Sequence, residues 1–313
     1  MITAISNIHS PYGALEFVNN DNNMKKHLSD KIVDVVVTSP PYNIGVNYGN
    51  SGYNDNKAES EYLQWVERIS IEIKKVLKDD GSFFLNIGDQ LSNPGKAWAI
   101  AFALKKHFVL QNVIHWTKAI NIKESDVGAT TAEKMILDDI TPGHFKPVHI
   151  NRYLSNIHEY IFHFTKPESN VKLDKLANGA KYEYKSNIKR HNKSNPNKTD
   201  LKEIGNVWFM PYETIQYKSE RGDHPTVFPI KLPEMCIKLH GLRPDLLVLD
   251  PFCGTGTTAI ACKRLDVNFI GSDIVEKYVN DAIERVRREG EDVHCRSCGD
   301  NNHIVTLDSF EQK

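Results

Sequence analysis

Apolar and polar positions follow a changing period along the chain, and each change of period marks an element. Ile32, Val33, Val35, Val36 and Val37 form a β-branched run bounded by Pro40-Pro41, the pattern of a buried parallel strand that stops abruptly. From Lys57 to Lys78, Tyr62, Val66, Ile69, Ile73 and Val76 share one helical face, and Gly81 reads as the terminator. Ser82 to Gly88, Phe108 to Thr117 and His158 to Thr165 read as strands, with a helix from Pro94 to Lys106. Val207-Trp208-Phe209 predicts a short strand, Ile230 to His240 a helix, and Leu246 to Asp250 another strand. A helix opening near Gly254, a strand over Val267 to Gly271 and a helix from Val275 to Glu289, with Ala282, Ile283 and Val286 on one side, complete the series. Strands alternating with helices indicate an α/β fold.

Several stretches fall outside this rhythm. Asp21 precedes a predicted helix from Asn22 to Leu28, where a polar residue serves as a cap. Gly45, Gly49 and Gly52, with Tyr48 and Tyr53, mark a polar loop that is either a mobile cover for a ligand or a disordered surface loop. Residues 121–156 are irregular and too long for a plain connection.

Composition sets the outer bounds. With 313 residues and 40% hydrophobic content, the chain can bury one large core and carry an appended module. It has no apolar run long enough to span a bilayer, Met1 to Asn20 lacks the pattern of a leader, and its five cysteines show no disulfide spacing. These features predict a cytoplasmic protein with no membrane partner. A formal net charge of −1 does not advertise nucleic-acid binding, so charge has to be read locally. Between Lys172 and Lys202 the basic residues, among them Lys181, Lys185, Lys189, Arg190 and Lys193, outnumber Asp174, Glu183 and Asp200, with Tyr182, Tyr184 and His191 interleaved. Such a segment is either a solvated loop or a surface for phosphate and base-edge contacts.

Two stretches carry candidate chemistry. In Thr38-Ser39-Pro40-Pro41-Tyr42 the prolines stiffen the turn and free their carbonyls, Ser39 adds a hydroxyl acceptor, and Tyr42 adds a flat ring. That set suits an exocyclic aromatic amine, although a turn that merely ends the strand has the same residue types. In Asp250-Pro251-Phe252-Cys253-Gly254-Thr255-Gly256-Thr257-Thr258, Gly254 and Gly256 permit a tight turn ahead of a helix, and Asp273 follows at the distance of a ribose-binding acid. The glycine spacing also fits a nicotinamide dinucleotide; Asp250 argues against a pyrophosphate and for a ligand carrying an ammonium group.

Together and in this order, the two stretches resemble the β class of S-adenosylmethionine-dependent DNA amino-methyltransferases, over about Asn20 to Arg288. The resemblance implies a Rossmann-like methyltransferase fold, with a mostly parallel seven-stranded sheet, helices on both faces and an inserted target-recognition region. It implies catalytic roles for Ser39, Pro40, Pro41 and Tyr42, and S-adenosylmethionine held by Asp250, Phe252, Gly254, Gly256, Thr257 and Asp273, with Asp21, Thr226 and Phe228 as further contacts. The implied reaction flips a base out of double-stranded DNA and methylates its exocyclic amine, the proton leaving to water or by relay. Adenine members usually carry Asp where this chain has Ser39, which favours cytosine N(4) over adenine N(6). The implied organisation is a catalytic half over 1–120, an irregular insertion at 121–156, a core strand at 157–165, target recognition at 166–223, a cofactor half at 224–289 and a tail at 290–313. A restriction-modification setting with a cognate endonuclease, and a homodimer, are consistent with the family but not fixed by these residues. His158 to Lys166 matches a later family motif and is read as packing. His294, Cys295, Cys298 and His303 make half of a zinc signature, too cramped to assign a metal. A nicotinamide oxidoreductase and a non-enzymatic DNA-binding protein are the competing readings.

Overall fold

The computed structural model describes residues 4–5, 15–16, 32–48, 53–120, 141–142, 152–182, 201–211 and 228–297. In chain order its strands are β1 (Ala4–Ile5), β2 (Leu15–Glu16), β3 (Val33–Thr38), β4 (Leu77–Ile87), β5 (Val109–Ile120) and β6 (Thr141–Pro142). They continue with β7 (His158–Thr165), β8 (Ala180–Lys181), β9 (Leu201–Lys202), β10 (Val207–Pro211), β11 (Leu247–Asp250) and β12 (Asn268–Gly271). The described helices are α1 (Glu59–Val76), α2 (Lys96–Leu104), α3 (Lys231–His240), α4 (Thr257–Leu265) and α5 (Glu276–Ser297).

Seven strands form one sheet in the order β10-β5-β7-β4-β3-β11-β12, with β6 added against β5. β3 runs parallel to β4 and β11, β11 to β12 and β10 to β5, while β7 runs antiparallel to both of its neighbours. This is the mostly parallel, Rossmann-like architecture expected, and helices cover both faces. Val35 and Val37 pack with Trp116, Trp208 and the α3 residues Leu232, Met235 and Ile237. Val36 packs on the other face with Ile69 and Ile73 of α1 and Ile100 and Leu104 of α2. Burial on both sides explains why β3 is a continuous apolar run. Each of these side chains, withdrawn from water, contributes on the order of 2 kcal/mol.

The strand order places the site. From β3 the chain crosses through α1 to β4 on one side, and from β11 through α4 to β12 on the other. The connections therefore diverge between β3 and β11, which lie side by side with Val35 opposite Val248 and Val36 opposite Leu249. A crevice outside the carboxyl ends of these two strands follows from that divergence. At the opposite edge, buried Asp34 accepts from Lys78 Nζ (2.7 Å), the Leu247 amide (2.8 Å) and the Arg243 guanidinium, fastening β3 to the start of β11.

Three sequence expectations are corrected. Gly81 does not end the first helix: α1 stops at Val76, and β4 begins at once with Gly81 inside it. A Cβ there would stand 2.6 Å from Leu77 Cδ1 and 3.0 Å from the Asp34 carbonyl, so glycine is needed where β4 crosses beside β3. The last helix runs on past Glu289 to Ser297. The loop after Tyr42, over its described residues 43–48 and 53–57, is pinned as detailed below. Among the described residues no helix is long and apolar enough to cross a membrane.

Candidate active site

The ends of β3 and β11 are joined directly. Thr38 Oγ1 donates to Asp250 Oδ1 (2.6 Å), and Thr258 Oγ1, from the first turn of α4, donates to Oδ2 (2.6 Å). The Phe252 amide adds a third bond to Oδ1 at 3.1 Å. Helix α1 makes a second tie: the Tyr62 hydroxyl donates to the Pro41 carbonyl (2.7 Å), the Tyr62 ring stacks on Trp65, and Trp65 lies 5.5 Å from the Phe252 ring. Tyr42 and Phe252 pack against the same apolar cluster. The two sequence motifs thus meet at one crevice.

On the β11 side, Gly254 (φ 49°) and Gly256 (φ 82°) turn the chain into α4. A Cβ on Gly256 would lie 2.7 Å from Ala282 Cβ, so this glycine admits α5 as well as the turn. Asp273 accepts from the amides of Gly254 (3.0 Å) and Val275 (2.9 Å). Burial pushes both acids up, Asp250 to about 6 against the lowering effect of Thr258 and Thr38, and Asp273 to about 6 against its amide donors. Among the described residues neither is paired with a cation. Asp250 has three donors for roughly four acceptor directions, so capacity remains. Thr257 Oγ1 is buried without a hydrogen-bond partner, and the first amides of α4 have no intrahelical acceptor. A buried donor left in this way, beside two uncompensated carboxylates and the Phe252 ring, suits a ligand that is cationic at one end and accepts hydrogen bonds at the other.

On the β3 side, Ser39 Oγ donates to the Tyr42 hydroxyl (3.0 Å), which donates to Glu159 Oε2 (2.9 Å). Asn86 Nδ2 reaches the same oxygen at 3.0 Å, and Lys118 Nζ bonds Oε1. Burial, then the charge of Glu159, pushes the Tyr42 phenol well above its ordinary range, so it stays protonated. The Pro40 carbonyl has no donor among the described residues, and the Ser39 oxygen, itself a donor to Tyr42, keeps its lone pairs. Beyond Tyr42, buried Asp55 accepts from the amides of Asn43 (2.9 Å), Ile44 (3.1 Å) and Val46 (2.9 Å). Asn43 and Lys57 exchange two more bonds, and the buried Lys96 ammonium donates to the Asn43 carbonyl (3.0 Å). Burial lowers Lys96, with Asp55 opposing. Burial, then the charge of Asp55, raises the Tyr48 phenol above its ordinary range.

The crevice therefore collects Ser39, Pro40, Pro41, Tyr42, Asp250, Phe252, Gly254, Gly256, Thr257 and Asp273. Phe228 is partly buried and packs against the apolar cluster around Val35, Val37 and Leu232. Lys181 lies in β8, exposed and paired with Leu201 of β9. Asp21, Thr226, Lys185, Lys189, Arg190 and Lys193 lie outside the described residues, as do Cys298 and His303. Sequence reasoning missed Thr38, Tyr62, Trp65, Asn86, Lys118 and Glu159. Only Glu159 left a signal, a carboxylate at the head of an otherwise apolar and aromatic strand.

Residues 33–284 match the sequence model of the N6/N4 methyltransferase family, described as DNA methylase. The type II methyltransferase M.BglII of Bacillus subtilis is 31% identical over 293 residues, which cover 93% of this chain and 71% of that protein. Among solved structures, the PvuII DNA methyltransferase, described as cytosine-N4-specific, superposes with a TM-score of 0.56 at 17% identity, covering 86% of this chain and 88% of that one. A Thermus thermophilus protein complexed with S-adenosyl-L-methionine superposes with a TM-score of 0.51 at 23% identity, covering 87% and 93%. At these identities the two structures share a fold with this chain.

Proposed function

The chain belongs to the DNA methylase family of N6/N4 methyltransferases, and from that premise we propose that it transfers a methyl group from S-adenosylmethionine to the N(4) amine of cytosine in double-stranded DNA. The carrying observation is the Ser39 oxygen and the Pro40 carbonyl, beside a glycine turn whose two acids have no cation partner among the described residues.

Each residue has a role in this reading. When bound, S-adenosylmethionine supplies an electrophilic methyl group on a sulfonium. Asp250 and Asp273 offer negative charge to its cationic amino acid end and acceptors to its ribose, Thr257 donates to it, and Phe252 gives an apolar wall. The exocyclic amine of a base is a poor nucleophile because its lone pair is delocalised into the ring. Ser39 and the Pro40 carbonyl accept its two hydrogens and so raise the electron density on nitrogen as the new bond forms. Base pairing hides this amine, so the base has to leave the helix. The Tyr42 ring, held at its hydroxyl, is the flat wall it meets. Residues 166–223, with Lys181 and the lysines beyond it, form the DNA-facing region. The choice of cytosine over adenine rests on the family resemblance, in which adenine members usually carry Asp where this chain has Ser39, and the likeness to a type II methyltransferase supports a restriction-modification role.

The test is transfer of labelled methyl to mixed-sequence plasmid DNA, followed by nucleoside analysis. N4-methylcytosine is expected. N6-methyladenine would overturn the choice of base, and no incorporation would overturn the reaction.

A further inference from the structure

The antiparallel strand β7 brings Glu159 to an edge of the sheet otherwise formed by the carboxyl ends of parallel strands. β7 begins at His158, where β4 ends, with Ile87 opposite Tyr160, and β5 ends beside it, with Trp116 opposite Glu159. Asn86 on β4 and Lys118 on β5 converge on the carboxylate. Gly88 makes room, since a Cβ there would come 3.0 Å from Glu159 Cγ and 3.4 Å from the Tyr42 ring. Three donors therefore fix Glu159: Asn86, Lys118 and the Tyr42 hydroxyl. Packing alone does not call for a carboxylate in this position.

A carboxylate held this way only accepts, and that sets the direction of the bonds beyond it. Tyr42 must point its proton at Glu159 and present its oxygen to Ser39. Ser39 must then spend its own proton on Tyr42, leaving its lone pairs to face outward. An exocyclic amine offers hydrogens, so a serine turned the other way would set donor against donor. The single chain Ser39 to Tyr42 to Glu159, at 3.0 and 2.9 Å, removes that alternative.

We propose that Glu159 is a positioning residue which, through Tyr42, holds Ser39 as an acceptor for the substrate amine and receives the proton the amine gives up. This rests on the methyltransferase reading above. As the nitrogen–carbon bond forms and the sulfur–carbon bond breaks, the amine proton moves to Ser39, the Ser39 proton to Tyr42 and the Tyr42 proton to Glu159. The products are the methylated amine, the neutral thioether and a protonated Glu159. With its side chain 14% exposed, Glu159 then returns the proton to water.

The test compares wild type, Glu159→Gln and Tyr42→Phe in single-turnover methyl transfer to mixed-sequence plasmid DNA, with calorimetry for S-adenosylmethionine affinity. Glutamine keeps the shape but can donate to Tyr42 and reverse the chain. Both variants should lose transfer rate by about 100-fold, within the range for positioned proton transfer, while cofactor affinity stays within threefold. The double variant should be no slower than either single one. If wild type methylates DNA while Tyr42→Phe keeps its rate within threefold, the inference is overturned, even should Glu159→Gln fail to fold. A folded Glu159→Gln that keeps the wild-type rate within threefold would also overturn it. Absence of transfer by wild type would defeat the methyltransferase reading instead.

Discussion

Asp34 and Asp250 both fasten β3 to the β11 side of the sheet, one at each end of β3, and their surroundings differ in one respect. Asp34 meets two cations, Lys78 and Arg243, together with an amide. Asp250 meets two threonine hydroxyls and an amide. Burying a carboxylate is costly unless its charge is compensated. At the Asp34 end the protein supplies the compensation itself. At the Asp250 end it leaves the charge for something else, and the carboxyl sits at about 6 because burial opposes ionisation. Position in the fold does not separate the two acids; the chemistry of their donors does.

The comparison can be broken from either side. Asp34→Ala should have the largest effect: it strands two cations and the Leu247 amide, and should cost about 3 kcal/mol of stability, measured by denaturant unfolding. Methyl transfer per folded molecule should be unchanged. Asp250→Asn should cost less than about 1 kcal/mol, because a threonine hydroxyl can turn from donor to acceptor. It should nevertheless weaken S-adenosylmethionine binding about tenfold, the loss of one charge contact of about 1.4 kcal/mol. Equal stability losses in the two variants would remove the distinction.

A further effect is one of pH. Asp250 and Asp273 ionise near 6 in the folded chain, against about 4 when unfolded. Between those values the folded protein holds protons that the unfolded chain has released. Raising pH through this window therefore costs stability, and the cost is complete above about 6. A cationic ligand favours the ionised carboxylates, so the rise in melting temperature given by S-adenosylmethionine should grow from pH 5 to pH 7. In Asp250→Asn this growth should shrink; growth equal to wild type would count against the role of Asp250.

Much of this arrangement was legible in the chain. Burial on both faces imposes an unbroken β-branched run, so β3 showed itself, and the proline and glycine punctuation marked the turns after β3 and β11. What stayed hidden depends on contacts across long sequence separations. Glu159 reads as one polar residue in a packing strand until β4 and β7 pair and bring it to Tyr42. Asp55 stands in a polar loop, and nothing local shows that it will collect three amides. Gly81 has the spacing of a helix terminator, yet it is required where β4 passes Asp34. Tyr62 reads as one residue of an ordinary helix face, although with Trp65 it joins Pro41 to Phe252.

One motif binds the cofactor and the other performs the transfer, in this reading, at the crevice between β3 and β11. The most direct measurement is single-turnover methyl transfer to plasmid DNA by Ser39→Ala at saturating S-adenosylmethionine. The rate should fall at least about 100-fold, with cofactor affinity by calorimetry within twofold of wild type. A Ser39→Ala protein that transfers methyl groups at the wild-type rate would contradict it.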